Sequence, residues 1–159
     1  MFKIREIETH EHPFLSKMIR VAIFFPDLSK KEEILEELDP MLSAYFDGFG
    51  RRGDHALVLE TDDSLGGAVW VRLYEEANRS YGFVDENTPE LGIALHEEWR
   101  DRGIGEQLIA AMIEKLSAEG YNQVSLSVDK RNRAMALYER MGFRIFSETE
   151  NSCTMLKTF

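Results

Sequence analysis

The residues best suited to chemistry stand together in Leu91-Gly92-Ile93-Ala94-Leu95-His96-Glu97-Glu98-Trp99-Arg100-Asp101-Arg102-Gly103-Ile104-Gly105, where a strand-like run enters a turn that opens a long helical pattern. Glycine lets a backbone approach a bound anion without interference from a Cβ. The first amides of a helix have no internal partners and point outward at the positive end of its dipole. A phosphate fits such an end. Arg100 and Arg102 add positive charge there, in a chain whose formal net charge is -10. Other phosphate loops fit poorly. No Gly-Lys-Ser/Thr ending is present, which excludes a P-loop, and Leu108 stands where a dinucleotide fingerprint needs its third glycine. A bare Gly-x-Gly also suits an ordinary strand-to-helix turn with solvated arginines. Two further features are set aside: His10-x-His12 has no third metal ligand in view, and Cys153 has no spacing that announces a histidine partner.

Such a turn acts only if flanking elements hold it. Leu108, Ile109, Met112, Ile113 and Leu116 line one side of a long helix, which Gly120 ends as a left-handed cap. Val124, Leu126 and Val128 alternate with Ser125 and Ser127 in a strand with one apolar face. Glu90–Leu95 is a strand leading into the turn, and Ala134–Arg140 is a short helix ended by Gly142. Residues 143–146 and 153–156 form a closing pair of strands. Upstream, Phe2, Ile4 and Ile7 mark a first strand, and Pro13 sits in the first turn of a helix carrying Phe14, Leu15, Met18, Ile19, Ala22 and Ile23. Ser29 and Glu32 make a capping box for a second helix, and Asp39-Pro40 begins a third piece with Met41, Leu42, Tyr45 and Phe46. Residues 55–59 and 67–73 are strands of a hairpin turning at Thr61-Asp62-Asp63-Ser64, and the polar residues 75–89 form a mobile loop. This order predicts an α/β (mixed α+β) fold with a central sheet.

At 159 residues the chain has the length of one domain, by the rule of roughly 100–200 residues each. It can bury enough apolar surface to fold without disulfides or a structural metal. A single cysteine fits a reducing, cytoplasmic compartment. No apolar run approaches the ~20 residues of a bilayer span, so no membrane partner is expected. The early charges Lys3, Arg5 and Glu6 leave no apparent signal peptide. The acidic balance argues against nucleic-acid binding, which rests on Lys/Arg clusters facing phosphates. It hints instead at cationic partners such as aminoglycosides, polyamines or basic peptides.

Two motifs resemble the GNAT superfamily of acetyl-CoA-dependent N-acetyltransferases. Arg100-Asp101-Arg102-Gly103-Ile104-Gly105 matches its Arg/Gln-x-x-Gly-x-Gly/Ala motif at the start of the main helix. Asp101 departs mildly, since many members carry glycine there. Asn132-Arg133-Ala134-Met135-Ala136-Leu137-Tyr138-Glu139-Arg140-Met141-Gly142-Phe143 matches Asn-Pro-Ala-x-x-Leu-Tyr-x-x-x-Gly-Phe, with Arg133 for the proline and the asparagine-to-tyrosine spacing kept. Together the motifs cover about residues 88–146; the first half fits only as an order of elements.

The resemblance implies a single N-acetyltransferase-like domain over residues 1–159, with a mixed, mostly antiparallel sheet and splayed central strands. Its co-substrate would be acetyl-CoA, and no metal would be needed. Backbone groups near Ile93, Ala94 and Leu95 would bond the pantetheine arm as an added strand would. The pyrophosphate would rest on the amides of Arg102, Gly103, Ile104 and Gly105, with Arg100 nearby and Asn132 against the arm. Tyr138 would protonate the leaving thiolate; without the motif it reads as a tyrosine packed for its ring. Glu90 would take the proton of the attacking amine directly or through water, with His96, Glu97 and Glu98 as alternatives. The Leu95 N–H is the candidate donor to the oxyanion. Phe24, Phe25, Tyr45, Phe46 and Phe49 form either an acceptor pocket or part of the core. The implied reaction moves acetyl to a primary amine of a small molecule or peptide, and a homodimer would be in keeping with similar proteins. Two rivals stand beside it: a coenzyme A-binding sensor without efficient chemistry, and an unrelated nucleotide-binding enzyme.

Overall fold

Short runs with alternating apolar residues pair into one seven-stranded sheet in the computed structural model, which describes residues 1–159. Strands β1 (Phe2–Glu6), β2 (His55–Thr61), β3 (Leu65–Arg72) and β4 (Glu90–Leu95) are successive antiparallel neighbours. Strand β5 (Gln123–Asp129) lies parallel to β4, and β6 (Arg144–Glu148) and β7 (Ser152–Thr158) complete the order β1-β2-β3-β4-β5-β7-β6. The hairpin turns at Thr61–Ser64 as expected, the Thr61 amide donating to the Ser64 carbonyl at 2.8 Å. The sheet is thus mixed and mostly antiparallel, with helices on both faces.

Side-chain alternation splits the core in two. On one face α3 (Ile104–Ala118) and α4 (Ala134–Arg140) pack Leu108, Ile109, Met112, Leu116 and Tyr138 against Val69, Val71, Leu91 and Leu126. Each fully buried aliphatic side chain here contributes about 1.5–3 kcal/mol by leaving water. On the other face α1 (His12–Ala22) and α2 (Lys31–Leu42) cover Ala56, Val58, Ala68, Trp70 and Ala94. Gly120 ends α3 with φ +93°, as its position predicts, and the Tyr121 amide closes the cap onto Leu116 O at 3.0 Å. No helix is long and apolar enough to cross a membrane.

Three local expectations change. The Ser29/Glu32 box does not form; Asp27 accepts from the Ser29 amide and caps a 3-10 turn, Leu28–Lys30, that leads into α2. Asp39-Pro40 begins nothing, because Pro40 lies inside α2 and only the 3-10 turn Ser43–Tyr45 follows. The segment 75–89 is tied down: Gly82 N–H donates to Glu90 Oε1 at 2.9 Å and Gly82 O accepts from Ser125 Oγ at 2.7 Å.

Candidate active site

The centre of the sheet opens beside a single pairing. Strands β4 and β5 share one parallel pair, Glu90 with Ser125, where the Ser125 amide donates to Pro89 O at 3.0 Å; beyond it they diverge. His96 N–H reaches Gly66 O on the β3 side at 2.8 Å, and Ala94 lies opposite Ala68. Antiparallel bonding alternates, so the backbone groups of Ile93 and Leu95 face the gap, while those of Ala94 face β3. Ala94 is therefore the member of the expected trio whose backbone is already paired. Arg100 Nε donates to Leu95 O at 3.0 Å and holds this strand end.

A groove of ≈ 980 Å³ runs along the gap, bounded by Ile93, Ala94, Leu95, Arg100, Gly103, Gly105, Asn132 and Tyr138 among others. At its end α3 begins. Gly103 caps the helix at φ +75°, a left-handed conformation that glycine adopts without strain, and a Cβ built there would meet nothing within 4 Å. No side chain caps this end, so the amides of Ile104 and Gly105 stay free for an anion. Such a cradle fits the diphosphate of a coenzyme. Ile104 serves only through its backbone, since its side chain is 1% exposed in the core. Arg102 likewise offers its backbone alone: its guanidinium lies 5.2 Å from the Trp99 ring centroid, outside the groove lining.

Both departures from the motif meet here. Asp101 has φ +59°, the region that explains glycine at this position, and its carboxylate accepts from Arg133 at 3.1 Å. Arg133 therefore sets a positive charge against the acid beside the anion cradle, in an exposed, solvent-screened pair. Arg20, Lys31, Arg131 and Arg140 also border the groove. The motifs did not show Arg20 and Lys31, because only tertiary packing brings α1 and the start of α2 to this edge.

A second cavity, ≈ 280 Å³, lies against the gap on the α1/α2 side. Ala22, Ile23, Phe24, Ile93, Asn132 and Tyr138 border both spaces. Glu90 lines the inner one. Glu90 is 7% exposed, Oε1 accepts the Gly82 amide, and Oε2 is buried with no hydrogen bond of good geometry, the equally unpaired Ser80 hydroxyl lying close by. Burial pushes its pKa up to about 7, against the opposing pull of Ser80 and the Gly82 amide. Tyr138 is 9% exposed, and burial pushes its phenol up to about 12. Asn132 Oδ1 accepts from Ala134 N–H at 2.9 Å, which starts α4 and leaves the side-chain amide for a ligand.

The alternatives separate by position. His96, Glu97 and Glu98 line neither space; His96 packs edge-on to Phe14 at 6.1 Å. The aromatic set divides. Phe24 and Tyr45 line the inner cavity and Phe25 the groove, while Phe46 and Phe49 pack in the core and against Arg20 and Arg72. Trp70, Tyr81 and Gly82 were missed as site residues. Gly82 carries no signal in the sequence; only the fold shows why it is glycine, since a Cβ there would sit 2.6 Å from Glu90 Oε1. His10 joins Glu8 and Glu11 in a cluster, whereas His12 packs edge-on to Phe49 at 5.2 Å, and Glu11 is held by Arg5 at 2.6 Å.

Comparison with known proteins places this geometry. Residues 18–143 match the model of the acetyltransferase (GNAT) family. The L-methionine sulfoximine/L-methionine sulfone acetyltransferase of Pseudomonas paraeruginosa is 30% identical over 103 residues, covering 64% of this chain and 58% of that protein. The mycothiol acetyltransferase of Corynebacterium aurimucosum is 37% identical over 105 residues, covering 60% of this chain and 33% of that protein. The matched region thus spans less than two-thirds of the curated relatives' length. Among solved structures, the PaiA N-acetyltransferase of Thermoplasma acidophilum in complex with coenzyme A superposes with a TM-score of 0.73 at 17% identity, covering 100% of this chain and 99% of that one. At that identity the likeness shows the fold. With the family model matching most of its length, and with strands that diverge beside a glycine-capped helix, the chain belongs to the GNAT acetyltransferase family.

Proposed function

We propose that this protein transfers the acetyl group of acetyl-CoA to a primary amine of a small molecule or peptide by direct attack, in a reducing, cytoplasmic setting. One observation carries the reading: Glu90, a buried carboxyl that no cation pairs and whose Oε2 makes no hydrogen bond, lines a cavity that meets the groove at Tyr138. Support for the co-substrate comes from the free amides at Gly103–Gly105 and from the gap-facing backbone of Ile93 and Leu95. Bound there, acetyl-CoA supplies the thioester carbon at which a C–N bond forms as the C–S bond breaks.

The chain's own groups handle the protons. An ammonium has no lone pair, and Glu90, with a pKa near 7, accepts its proton directly or through one water near neutral pH. The Leu95 N–H faces the gap and can donate to negative charge developing on oxygen. Tyr138 holds its proton at every working pH. A phenol near 12 is a weaker acid than a thiol at about 8.5, so full transfer is uphill. Tyr138 therefore begins as a hydrogen-bond donor to sulfur and yields its proton as the thiolate departs. The nitrogen sheds two protons, one from the ammonium before attack and one from the tetrahedral adduct after it, each taken by Glu90 or its water and passed to solvent; one is recovered by the Tyr138 phenol and the other is released, which balances the cycle.

The test is release of free thiol from acetyl-CoA across amino acids, polyamines, arylalkylamines and peptide N-termini. Amine-dependent release is expected, and Tyr138→Phe should lower kcat by ~10²–10⁴. Tight coenzyme A binding without release under any amine would favour the sensor reading. Stabilisation by ATP or NAD but not coenzyme A would favour the unrelated nucleotide enzyme.

A further inference from the structure

Resting on the acetyl-transfer reading, we infer that the acceptor is a compact, apolar primary amine, an arylalkyl- or branched alkylamine, bearing neither a carboxylate nor a second ammonium. The inner cavity decides this by what its wall contains and lacks. Fifteen of its twenty lining residues are hydrophobic, with Ile19, Leu42 and Trp70 on the α1/α2 face and Met41 at the rim. No arginine or lysine is among them. A bound amino acid would bury its α-carboxylate without a counter-charge, and an unpaired buried charge is a strong ground for rejection.

The cation nearest Glu90 in the sheet is committed elsewhere. Arg72, across the sheet from Glu90, donates to Asp54 at 3.0 and 2.9 Å and to Ala44 O at 3.0 Å. Its guanidinium cannot turn to a ligand without stripping a buried aspartate.

The acidic side of the wall is equally restrictive. Glu90 and Asp129 are the carboxylates lining the cavity, and Asp129 accepts from Arg131 Nε and Nη2 at 3.0 and 2.8 Å. That leaves Glu90 as the one lining carboxyl without a cation, enough for one ammonium. A polyamine would place its second charge against Trp70 and Leu42 with nothing to pair it. The volume, ≈ 280 Å³, sits near the bottom of the range of about 300–1,000 Å³ for small-molecule pockets and suits one ring or a short branched chain. Overall charge hinted at polycations; the cavity wall points away from them.

The experiment compares phenethylamine, phenylalaninamide, phenylalanine and spermidine by thiol release with acetyl-CoA in excess. Calorimetric binding of each amine to the protein without coenzyme runs in parallel. Phenethylamine should exceed phenylalanine and spermidine in kcat/KM and in affinity by at least about tenfold, with phenylalaninamide well above phenylalanine. Met41→Arg, which puts a cation at the rim on a half-exposed helix position, should narrow the gap between phenylalanine and phenethylamine. Equal or better use of phenylalanine or spermidine overturns the inference, and an unchanged gap in Met41→Arg overturns charge as its cause. Absence of turnover with every amine would defeat the catalytic reading, while the calorimetric ranking would still decide what the cavity accepts.

Discussion

Glu90 is a carboxyl whose two oxygens live differently: one accepts the Gly82 amide and the other is buried without a hydrogen bond. Its charged form is disfavoured in the folded state, with a pKa of about 7 against an ordinary 4.5. The folded protein therefore holds a proton that the unfolded chain has lost, and stability falls as pH rises from about 4.5 to 7. Glu90→Gln removes this loss. Above pH 7 it should stabilise the fold by roughly 3 kcal/mol, a gain that vanishes near pH 4, as read by denaturation at both pH values. The same variant should flatten the rise of kcat/KM through pH 7; an unaltered rise would clear Glu90 of the base role. The position of Glu90 at the head of a strand was legible in the sequence, and so was Tyr138. Their burial was not, because no local pattern says that Gly82 folds back onto a carboxylate eight residues ahead. Asp101 shows the same limit: the sequence marks it as an acid beside an anion site, and only the fold supplies Arg133 to offset it.

Among the elements, the opening of α3 carries the greatest weight in the proposed function. Free amides, a left-handed Gly103 and the helix dipole act together at one end. Gly103→Glu places a side chain and a negative charge over those amides, at a position where a Cβ meets nothing within 4 Å. The left-handed conformation costs a non-glycine residue about 1–2 kcal/mol, which a domain of this size tolerates. Calorimetry should show coenzyme A binding abolished while circular dichroism stays unchanged; unaltered binding would refute the anion site. This element was readable because its signals are local: glycine spacing, an apolar stripe and a Gly120 stop. The divergence of β4 and β5 was expected from family resemblance alone. At the one position where the strands still pair, Gly82 of the returning segment bonds Glu90 on one strand and Ser125 on the other. The failed Ser29 box and the Pro40 inside α2 have a common origin: capping signals recur every few residues in polar sequence, and local pattern alone does not choose among them.

At the scale of the molecule, two cores share one sheet, and a buried ion pair ties the site's floor to it. Arg72 and Asp54 are 1% and 0% exposed in their side chains, and Arg72 also anchors Ala44, next to the cavity residue Tyr45. Arg72→Leu leaves Asp54 buried without its cation and should cost about 3–5 kcal/mol. For a chain of this length that lowers Tm by about 6–20 °C in a thermal melt. A companion Asp54→Leu should restore part of the loss; no change in Tm with Arg72→Leu would show the pair to be dispensable. What the sequence determined by itself was whatever rests on near neighbours: the succession of strands and helices, the glycine-capped helix start, the asparagine-to-tyrosine spacing and the paucity of thiols. Tertiary structure alone decided which faces meet across the gap, which arginines are already spent on carboxylates, and that Glu90 is buried without a cation in an apolar wall. Those properties depend on distances between residues far apart along the chain, and burial is set by everything that packs around a group rather than by the group's own neighbours.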